Sequence, residues 1–416
     1  MQVADALAAV VRAPVRIEAY DGSVSGPADA PVVIRLRSSK AVAHMVSAPG
    51  QLGMARAYVS GEMDIQAPSH YDLLRAVAKE HMGALGWADR VQVLRTLGPD
   101  VLQWVEPPPQ EVGAKRYLSG LHRHTRGRDA MAISHHYDVS NRFYEWVLGP
   151  SMAYTCALFR TSEATLEGAQ AAKFDLVCRK LALQPGMRLL DVGCGWGGMA
   201  MHAAREYGAS VLAVTLSRQQ AEWGQKAVAD AGLQDLVEIR HQDYRDVRET
   251  GFDAVSSIGL TEHIGMAQLP SYFHRLASRL VVGGRLLNHC ITRPDDHTPA
   301  IAKRGFITRY VFPDGELPGV GRICREVQRA GLEVRHEENL REHYALTTKA
   351  WCENLDAHWE EAVAEVGLGT ARVWALYLAG SRLGFERNDI QLHQVLAVRP
   401  SDSGDSSGPL RPDWVQ

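Results

Sequence analysis

The sequence lacks the features that mark several common protein classes. No apolar run approaches the roughly 20 residues of a membrane-spanning helix, and no secretion signal is recognisable. The six cysteines form no CxxC pair, which argues against a zinc site or a disulfide scaffold and favours reduced thiols in a cytosol. With 45 basic and 48 acidic residues, the net charge of -3 provides no general attraction to nucleic acid or anionic lipid. If the protein handles lipid, we expect it to do so from the aqueous side.

Composition and turn residues divide the 416-residue chain into four segments. Residues 1–112 are predicted to form a small mixed α+β domain, and residues 131–400 a larger one. Residues 113–130 are a basic stretch that is either a solvated linker, the more common case, or a contact for phospholipid head groups. Residues 401–416 are rich in Ser, Gly and Asp and are predicted to be disordered.

Strands and helices alternate from about residue 164 onward, which predicts an α/β domain with a doubly wound, mostly parallel sheet. The predicted strands are Met187–Val192, Ser210–Thr215, Val237–His241, Phe252–Ile258, Gly284–Ile291 and a closing strand Val395–Val398. The predicted helices are Gln170–Leu183, Ala200–Tyr207, Gln219–Ala231, a helix near Leu269–Leu280, and one or two helices within Tyr344–Leu378.

A glycine-rich loop, Asp191-Val192-Gly193-Cys194-Gly195-Trp196-Gly197-Gly198, follows the first of these strands and precedes a helix. Such loops let backbone N–H groups approach a nucleotide-like ligand. The Asp191 carboxylate would repel a pyrophosphate, whereas it suits the ammonium and sulfonium of S-adenosylmethionine. The acidic residue that binds a dinucleotide ribose is missing after the second strand, where Thr215-Leu216-Ser217 stands. The loop therefore predicts S-adenosylmethionine rather than a nicotinamide cofactor; a tight turn without any ligand is the alternative.

Further segments between residues 131 and 400 resemble the cyclopropane-fatty-acyl-phospholipid and mycolic-acid cyclopropane synthases. The resemblance implies a Rossmann-like class I methyltransferase domain. It also matches the N-terminal region to the extra domain of the longer, phospholipid-acting members. The resembling segments are His136–Asn141, Met152–Ala157, the glycine loop, Thr215–Ser217, Thr261–Gly265, Asn288–Thr292, Tyr310–Pro318 and His343–Thr347.

The resemblance implies two sets of site residues and no metal. A bound bicarbonate would serve as the base, and its ligands map onto Cys156, Glu262, His289, the backbone of Ile291, and Tyr344. The residues expected to bind S-adenosylmethionine are Tyr137, Tyr154, Thr155, Asp191, Gly193, Gly195, Thr215, Leu216, Gln220, Asp243 and Tyr244.

The implied reaction adds a methylene to the cis double bond of unsaturated acyl chains in membrane phospholipids. An alkene is a poor nucleophile, so it must be held dry and in line with the sulfonium methyl. Aromatic faces can stabilise the resulting cation, although each such ring is more often ordinary core. The candidates are Tyr137, Phe143, Tyr310, Phe312 and Phe385.

Other functions remain open at this point. The same first step could end in a methylene- or methyl-branched chain or a methoxy precursor, and an inactive lipid-binding module is a further alternative. Small-molecule methyl transfer is possible for the fold alone, while the lack of a basic groove with interleaved aromatics disfavours nucleic acid. We expect a cytoplasmic protein, peripheral to the inner membrane face, whose N-terminal domain gathers lipid, and the family's longer members suggest a homodimer.

Overall fold

The computed structural model describes residues 2–9, 14–48, 50–78, 98–111, 139–296, 305–406, 408–412 and 414. Tyr137 and the basic stretch 113–130 lie outside the described residues. The helices are α1 Val3–Ala8, α2 Ser39–Ser47, α3 Gln51–Val59, α4 His70–Ala78, α5 Asn141–Leu148, α6 Leu166–Leu181, α7 Gly198–Tyr207, α8 Arg218–Asp230, α9 Leu269–Ala277, α10 Phe306–Tyr310, α11 Val320–Arg329, α12 Arg341–Ala357, α13 Trp359–Val366 and α14 Leu368–Glu386. The strands are β1 Arg16–Glu18, β2 Val24–Ser25, β3 Val33–Leu36, β4 Met63–Gln66, β5 Arg188–Val192, β6 Ser210–Thr215, β7 Val237–His241, β8 Phe252–Ile258, β9 Leu280–Thr292, β10 Glu333–Asn339 and β11 Gln391–Val398.

The larger of two compact units contains residues 119–301, 314–350 and 384–416. Its seven-stranded sheet has the order β10-β11-β9-β8-β5-β6-β7. Strands β5 to β9 pair in parallel, whereas β11 runs antiparallel to both of its neighbours. The strand order reverses between β5 and β8, and ligands of doubly wound sheets bind beyond the carboxyl ends of the strands at such a point. This arrangement confirms the predicted doubly wound α/β class.

Buried apolar strands and capped helices explain why the sequence adopts this sheet. The β5 and β6 side chains are buried after their first residue, as expected for strands covered on both faces. Ser217 ends the turn after β6 and accepts the backbone N–H of Gln220, which caps α8. Strand β10 was not predicted, because it has no fully buried residue and consists mostly of charged and polar side chains at the sheet edge.

The smaller unit contains residues 1–118, 302–313 and 351–383. Its four-stranded sheet has the order β2-β1-β3-β4, with β1 and β3 parallel. The two later segments fall inside the range 131–400 that the sequence predicts for the methyltransferase domain. They join the smaller unit through burial: Tyr310, Val311 and Val373 form one apolar cluster with Leu52 and Val59.

Some described residues of the segment 401–416, which the sequence predicts to be disordered, make specific contacts. The backbone N–H of Ser401 donates to the Asp405 carbonyl, which closes a turn. The Trp414 ring packs against the core and lies edge-on to His336, with 6.1 Å between ring centroids. An aromatic side chain therefore ties this part of the tail to the larger unit.

Helices long and apolar enough to cross a membrane are absent from the part of the chain that the structure describes.

Candidate active site

Two loops lie at the point where the strand order reverses: the glycine loop after β5 and residues 259–263 after β8. Gly193 has φ +75° and donates its N–H to the Val214 carbonyl (2.9 Å), which fixes the loop against β6. A Cβ on Gly193 would lie 3.1 Å from the Leu260 side chain, whereas one on Gly195 (φ +55°) would meet nothing within 4 Å. The loop backbone is therefore packed at its first glycine and open at the second, where a ligand could approach closely.

Asp191 lies at the end of β5 with one carboxylate oxygen satisfied. Ser256 Oγ donates to Asp191 Oδ1 (2.6 Å), while Oδ2 is buried without a partner among the described residues. The carboxyl group is 2% exposed, and this burial raises its pKa to about 6. A buried carboxylate oxygen with no donor suits a cationic ligand group.

The ends of β6 and β7 bring the next predicted residues together. Thr215 Oγ1 donates to Gln220 Oε1 (2.8 Å), so the two side chains meet although they belong to a strand and a helix. The Leu216 carbonyl lies 3.1 Å from His241 Nε2. The backbone N–H of Gln242 donates to the Thr215 carbonyl (3.0 Å), which places the start of the following loop beside this pair.

Asp243 and Tyr244 lie in that loop, and each contacts the protein around it. Asp243 forms an ion pair with Arg245, whose Nη2 donates to Oδ2 at 2.6 Å. The Tyr244 ring packs edge-on against Tyr272, with 5.3 Å between centroids. The structure therefore brings both residues to the same end of the sheet as Thr215.

The segment before α6 carries Tyr154 and Thr155. The Tyr154 ring lies 5.9 Å from that of Tyr144. Thr155 Oγ1 accepts a hydrogen bond from Lys173 Nζ (3.0 Å), an ammonium that is fully buried. Burial lowers the Lys173 pKa to about 7, against the opposing effects of Cys156 and Asp191. Lys173 is not among the residues predicted from the sequence, because a lysine on a helix ordinarily faces solvent.

Glu262 lies in the short turn Thr261–His263 after β8. Its Oε1 accepts the backbone N–H of Ile291 (2.7 Å), and Oε2 is buried with no partner among the described residues. Burial raises the Glu262 pKa to about 7, although the hydrogen bond opposes this shift. The Ile291 N–H, which the resemblance gives as an anion ligand, thus donates to Glu262 in this structure.

His289 lies on β9 opposite Ile258, the last residue of β8, and its carbonyl accepts the Gly259 N–H (2.8 Å). Its ring is fully buried, with Nδ1 3.1 Å from Gln394 Nε2 and Nε2 without a partner in the described part of the chain. Burial, together with the charges of Lys173 and Lys180, lowers the His289 pKa well below its ordinary value. The ring is therefore neutral near pH 7.

Cys156 lies against the start of α12, the helix that carries Tyr344. Cys156 Sγ donates to the Leu340 carbonyl (3.7 Å), and Thr347 Oγ1 accepts the backbone N–H of the residue after Cys156 (3.0 Å). Burial raises the Cys156 pKa well above its usual range, so the group is a thiol and not a nucleophilic thiolate. The Tyr344 ring stacks on Phe385, with 4.3 Å between centroids.

The other aromatic candidates fall in different places. Phe143 is fully buried and packs edge-on against Tyr144. Tyr310 and Phe312 belong to the smaller unit, where the Tyr310 hydroxyl lies 3.3 Å from Glu111. Phe385 directly contacts Tyr344, a residue of the predicted anion set.

Comparisons with known proteins agree with this geometry. The family model described as "Mycolic acid cyclopropane synthetase" matches residues 124–395. The chain belongs to this family. A probable fatty acid methyltransferase of Mycobacterium tuberculosis is 55% identical over 408 residues, which cover 96% of this chain and 95% of that protein. The cyclopropane-fatty-acyl-phospholipid synthase of Escherichia coli is 36% identical over 270 residues, covering 65% of this chain and 68% of that protein.

A solved mycolic acid cyclopropane synthase, complexed with SAH and CTAB, shares the fold of this family member. It superposes with a TM-score of 0.61 at 32% identity, covering 64% of this chain and 97% of that one. SAH is what remains of S-adenosylmethionine after methyl transfer. The protein is thus an S-adenosylmethionine-dependent methyltransferase of the cyclopropane synthetase family with a class I fold.

Proposed function

We propose that the protein modifies lipid acyl chains, transferring a methylene from S-adenosylmethionine to the cis double bond of unsaturated chains in membrane phospholipids. The product would be a cyclopropane fatty acyl chain. The observation that carries this proposal is that two buried polar atoms lack described partners: Glu262 Oε2 in the turn after β8, and His289 Nε2 on the neighbouring strand β9. Such atoms are costly unless a ligand satisfies them.

The residues around the glycine loop fit S-adenosylmethionine. Asp191 Oδ2 would accept a hydrogen bond from the ammonium group, and the open backbone at Gly195 would allow close approach. Thr215 and Gln220 already meet at the end of β6, where they would bind the polar part of the nucleoside. When bound, S-adenosylmethionine supplies an electrophilic methyl group.

The second set of residues fits a bicarbonate, which when bound supplies an oxygen base that is not tethered to the chain. Neutral His289 would donate from Nε2, and Glu262, with a pKa of about 7, could accept a proton or a hydrogen bond. The Lys173 ammonium would offset the negative charge, since its field acts on both His289 and Cys156. Cys156 would form a weakly polar wall, and the Tyr344 hydroxyl would donate.

A methyl- or methylene-branched product is the second candidate. The relative named a probable fatty acid methyltransferase is 55% identical and matches 96% of this chain, whereas the match to the phospholipid synthase covers 65%. The first methyl transfer would be the same. Direct loss of a proton from the new methyl would close the ring. A hydride shift along the chain before that loss would give an exocyclic methylene, and loss of a proton from a neighbouring chain carbon would give a methyl-branched alkene, so the residues that hold the base decide the outcome.

The product of the reaction tests both candidates. The protein is incubated with methyl-¹³C S-adenosylmethionine and vesicles of a phospholipid with one cis double bond per acyl chain, and the recovered chains are studied by NMR. Ring CH₂ signals are expected. Label in a methyl or exocyclic methylene carbon would support the second candidate, and label absent from the lipid would contradict both. Vesicles of saturated phospholipid are the control.

The Asp191 pKa predicts a pH dependence of cofactor binding. The ionised carboxylate pairs with an ammonium and the protonated form does not, so the affinity for S-adenosylmethionine should fall as pH drops below about 6. Asp191→Asn should bind more weakly at pH 7.5 and show a flatter profile. Isothermal titration between pH 5 and 8 measures this, with Asp253→Asn on β8 as the control. Equal slopes for wild type and Asp191→Asn would contradict the assignment.

We further propose that the smaller unit associates with the membrane surface on the cytoplasmic side, with lipid and not nucleic acid as the partner. Support comes from Leu102, the last residue of the short 3₁₀ turn Pro99–Leu102, and from Trp104 just after it, which are 67% and 85% exposed. Exposed Trp and Leu side chains favour the interface of a bilayer. A homodimer remains part of this proposal through the family resemblance.

Replacing both exposed side chains tests the membrane association. The double variant Leu102→Ser, Trp104→Ser should bind phospholipid vesicles at least about 10-fold more weakly than wild type in a sedimentation assay, because the insertion of both side chains contributes more than the roughly 1.4 kcal/mol that a tenfold change requires. Cofactor affinity should not change. The control exchanges two exposed polar residues on α8, Lys226→Ser and Asp230→Ser. Unchanged sedimentation of the Leu102/Trp104 variant would exclude these residues as the contact.

A further inference from the structure

The buried ring of His289 is connected to a chain of polar groups that the reaction itself does not require. His289 Nδ1 lies 3.1 Å from Gln394 Nε2, and Gln394 Oε1 accepts a hydrogen bond from Lys180 Nζ at 2.7 Å. Lys180 Nζ also contacts Glu338 Oε2. Strand β11, which carries Gln394, pairs directly with β9, where Gln394 lies opposite His289. Four elements, α6, β9, β10 and β11, thus contribute to one line of hydrogen bonds.

The chemistry of the donors sets the direction of each bond. An ammonium can only donate, so the atom of Gln394 that faces Lys180 must be the amide oxygen. The amide nitrogen then faces His289, and since it too can only donate, Nδ1 must be the acceptor. The ring proton is therefore on Nε2. This deduction follows from the donor inventory of the groups and requires no observation of hydrogens.

Burial keeps this arrangement in place. Lys180 and Gln394 are fully buried, and the Glu338 side chain, 36% exposed, anchors the line at the edge of the sheet. Turning the Gln394 amide over would set its NH₂ group against the Lys180 ammonium, two donors without an acceptor in a low dielectric. The amide therefore has one favourable orientation, and so does the ring proton.

We propose that Lys180 and Gln394 are positioning residues that hold His289 as the neutral Nε2–H tautomer, so that it donates a hydrogen bond into the site. The tautomer does not depend on what is bound. The identity of the acceptor, a bicarbonate, rests on the proposed function. The Nδ1–H form would present a lone pair on Nε2 to an anion, which repels it, so an unfixed ring would bind the anion more weakly.

The tautomer can be read directly in the full-length protein labelled with ¹⁵N-histidine. Long-range ¹H–¹⁵N correlation spectra distinguish Nε2–H from Nδ1–H rings. The chain has 17 histidines, so the His289 signals are identified as those missing from His289→Asn. We expect the Nε2–H pattern in the wild type. An Nδ1–H ring, an imidazolium or a mixture near pH 7 would overturn the proposal without any variant.

Two variants test whether Lys180 and Gln394 determine the tautomer of His289. Gln394→Glu places a carboxylate between Lys180 and His289; it should fold because Lys180 pairs with it, and it should move the ring proton to Nδ1. Lys180→Met removes the fixed donor and should give a mixture of tautomers. In both, kcat should fall about 10- to 100-fold, as for loss of a group that orients a functional histidine, while cofactor affinity stays within twofold. Retention of a pure Nε2–H ring in both folded variants would overturn the proposal.

Gln391→Glu is the matched control, because Gln391 lies on the same strand and its Nε2 bonds to Asn388 rather than to the histidine. It should leave the tautomer and kcat unchanged. Failure of this inference is distinguishable from failure of the proposed function. The first is decided by the spectrum of His289 in the resting protein, the second by the position of the label in the lipid.

Discussion

Replacing Glu262 by glutamine is expected to lower kcat at least about 100-fold, the smaller end of what loss of general acid–base assistance costs. Glutamine has the same shape and keeps an oxygen for the Ile291 N–H. Its second terminal atom is an NH₂ donor instead of Oε2, and the amide cannot ionise near pH 7. The variant therefore should fold and bind the cofactor but fail to hold the base.

Initial rates of label transfer from S-adenosylmethionine to phospholipid vesicles measure the effect, and isothermal titration measures cofactor affinity. The affinity should stay within about twofold, because the contacts at Asp191 and Thr215 are untouched. Glu238→Gln is the control, since Glu238 is an exposed residue of β7 paired with Arg240. Full activity of Glu262→Gln would rule out the proposed anion site.

Replacing Lys173 by methionine is expected to lower the activity and raise the stability of the protein. Loss of a buried positive charge beside the site should lower kcat about 100-fold, comparable to removal of one preorganised electrostatic group. Stability should change in the opposite direction. The folded-state pKa is about 7 against an ordinary 10.5, so folding carries a cost wherever the unfolded lysine is protonated.

The lowered pKa of Lys173 determines the pH range over which stability changes. Between about pH 7 and 10.5 the unfolded chain binds the proton and the folded chain does not, so wild-type stability rises with pH over this window. Below about pH 7 the cost is fully present. The Tm of Lys173→Met relative to wild type should therefore be higher at pH 6.5 than at pH 9.5. Lys226→Met, at an exposed pair with Asp230, should show no such trend, and a parallel shift at both pH values for Lys173→Met would contradict the buried ammonium.

Local sequence patterns predicted much of the sheet and the glycine loop. The bounds of β6, β7 and β8 agree with the prediction to the residue, because short apolar runs between turn residues leave little choice of structure. The positions of Asp191 and the loop glycines follow from the same local signal. The family resemblance, rather than a local sequence pattern, identified Glu262, His289 and Tyr344, because these residues come from separate elements.

The residues that the sequence did not reveal owe their roles to distant contacts. Lys173 and Lys180 lie on α6 at positions where charge normally indicates a solvated face, yet both are buried. Lys180 meets Glu338 and Gln394 at separations of 158 and 214 residues. Likewise, segment 351–383 joins the smaller unit through apolar burial with helices near the start of the chain. Periodicity reports which face of an element is apolar, not which partner covers it.

The placement of β11 between β9 and β10 has a consequence for synthesis of the chain. His289 and Gln394 are 105 residues apart, so a ribosome working at about 5–20 residues per second needs about 5–20 s to travel from one to the other. Until then β9 ends the sheet as an open edge and the histidine lacks the amide that fixes its proton. A nascent chain can therefore form its glycine loop well before the tautomer of His289 is fixed. The pairing of β11 with β9 is the step that completes the site.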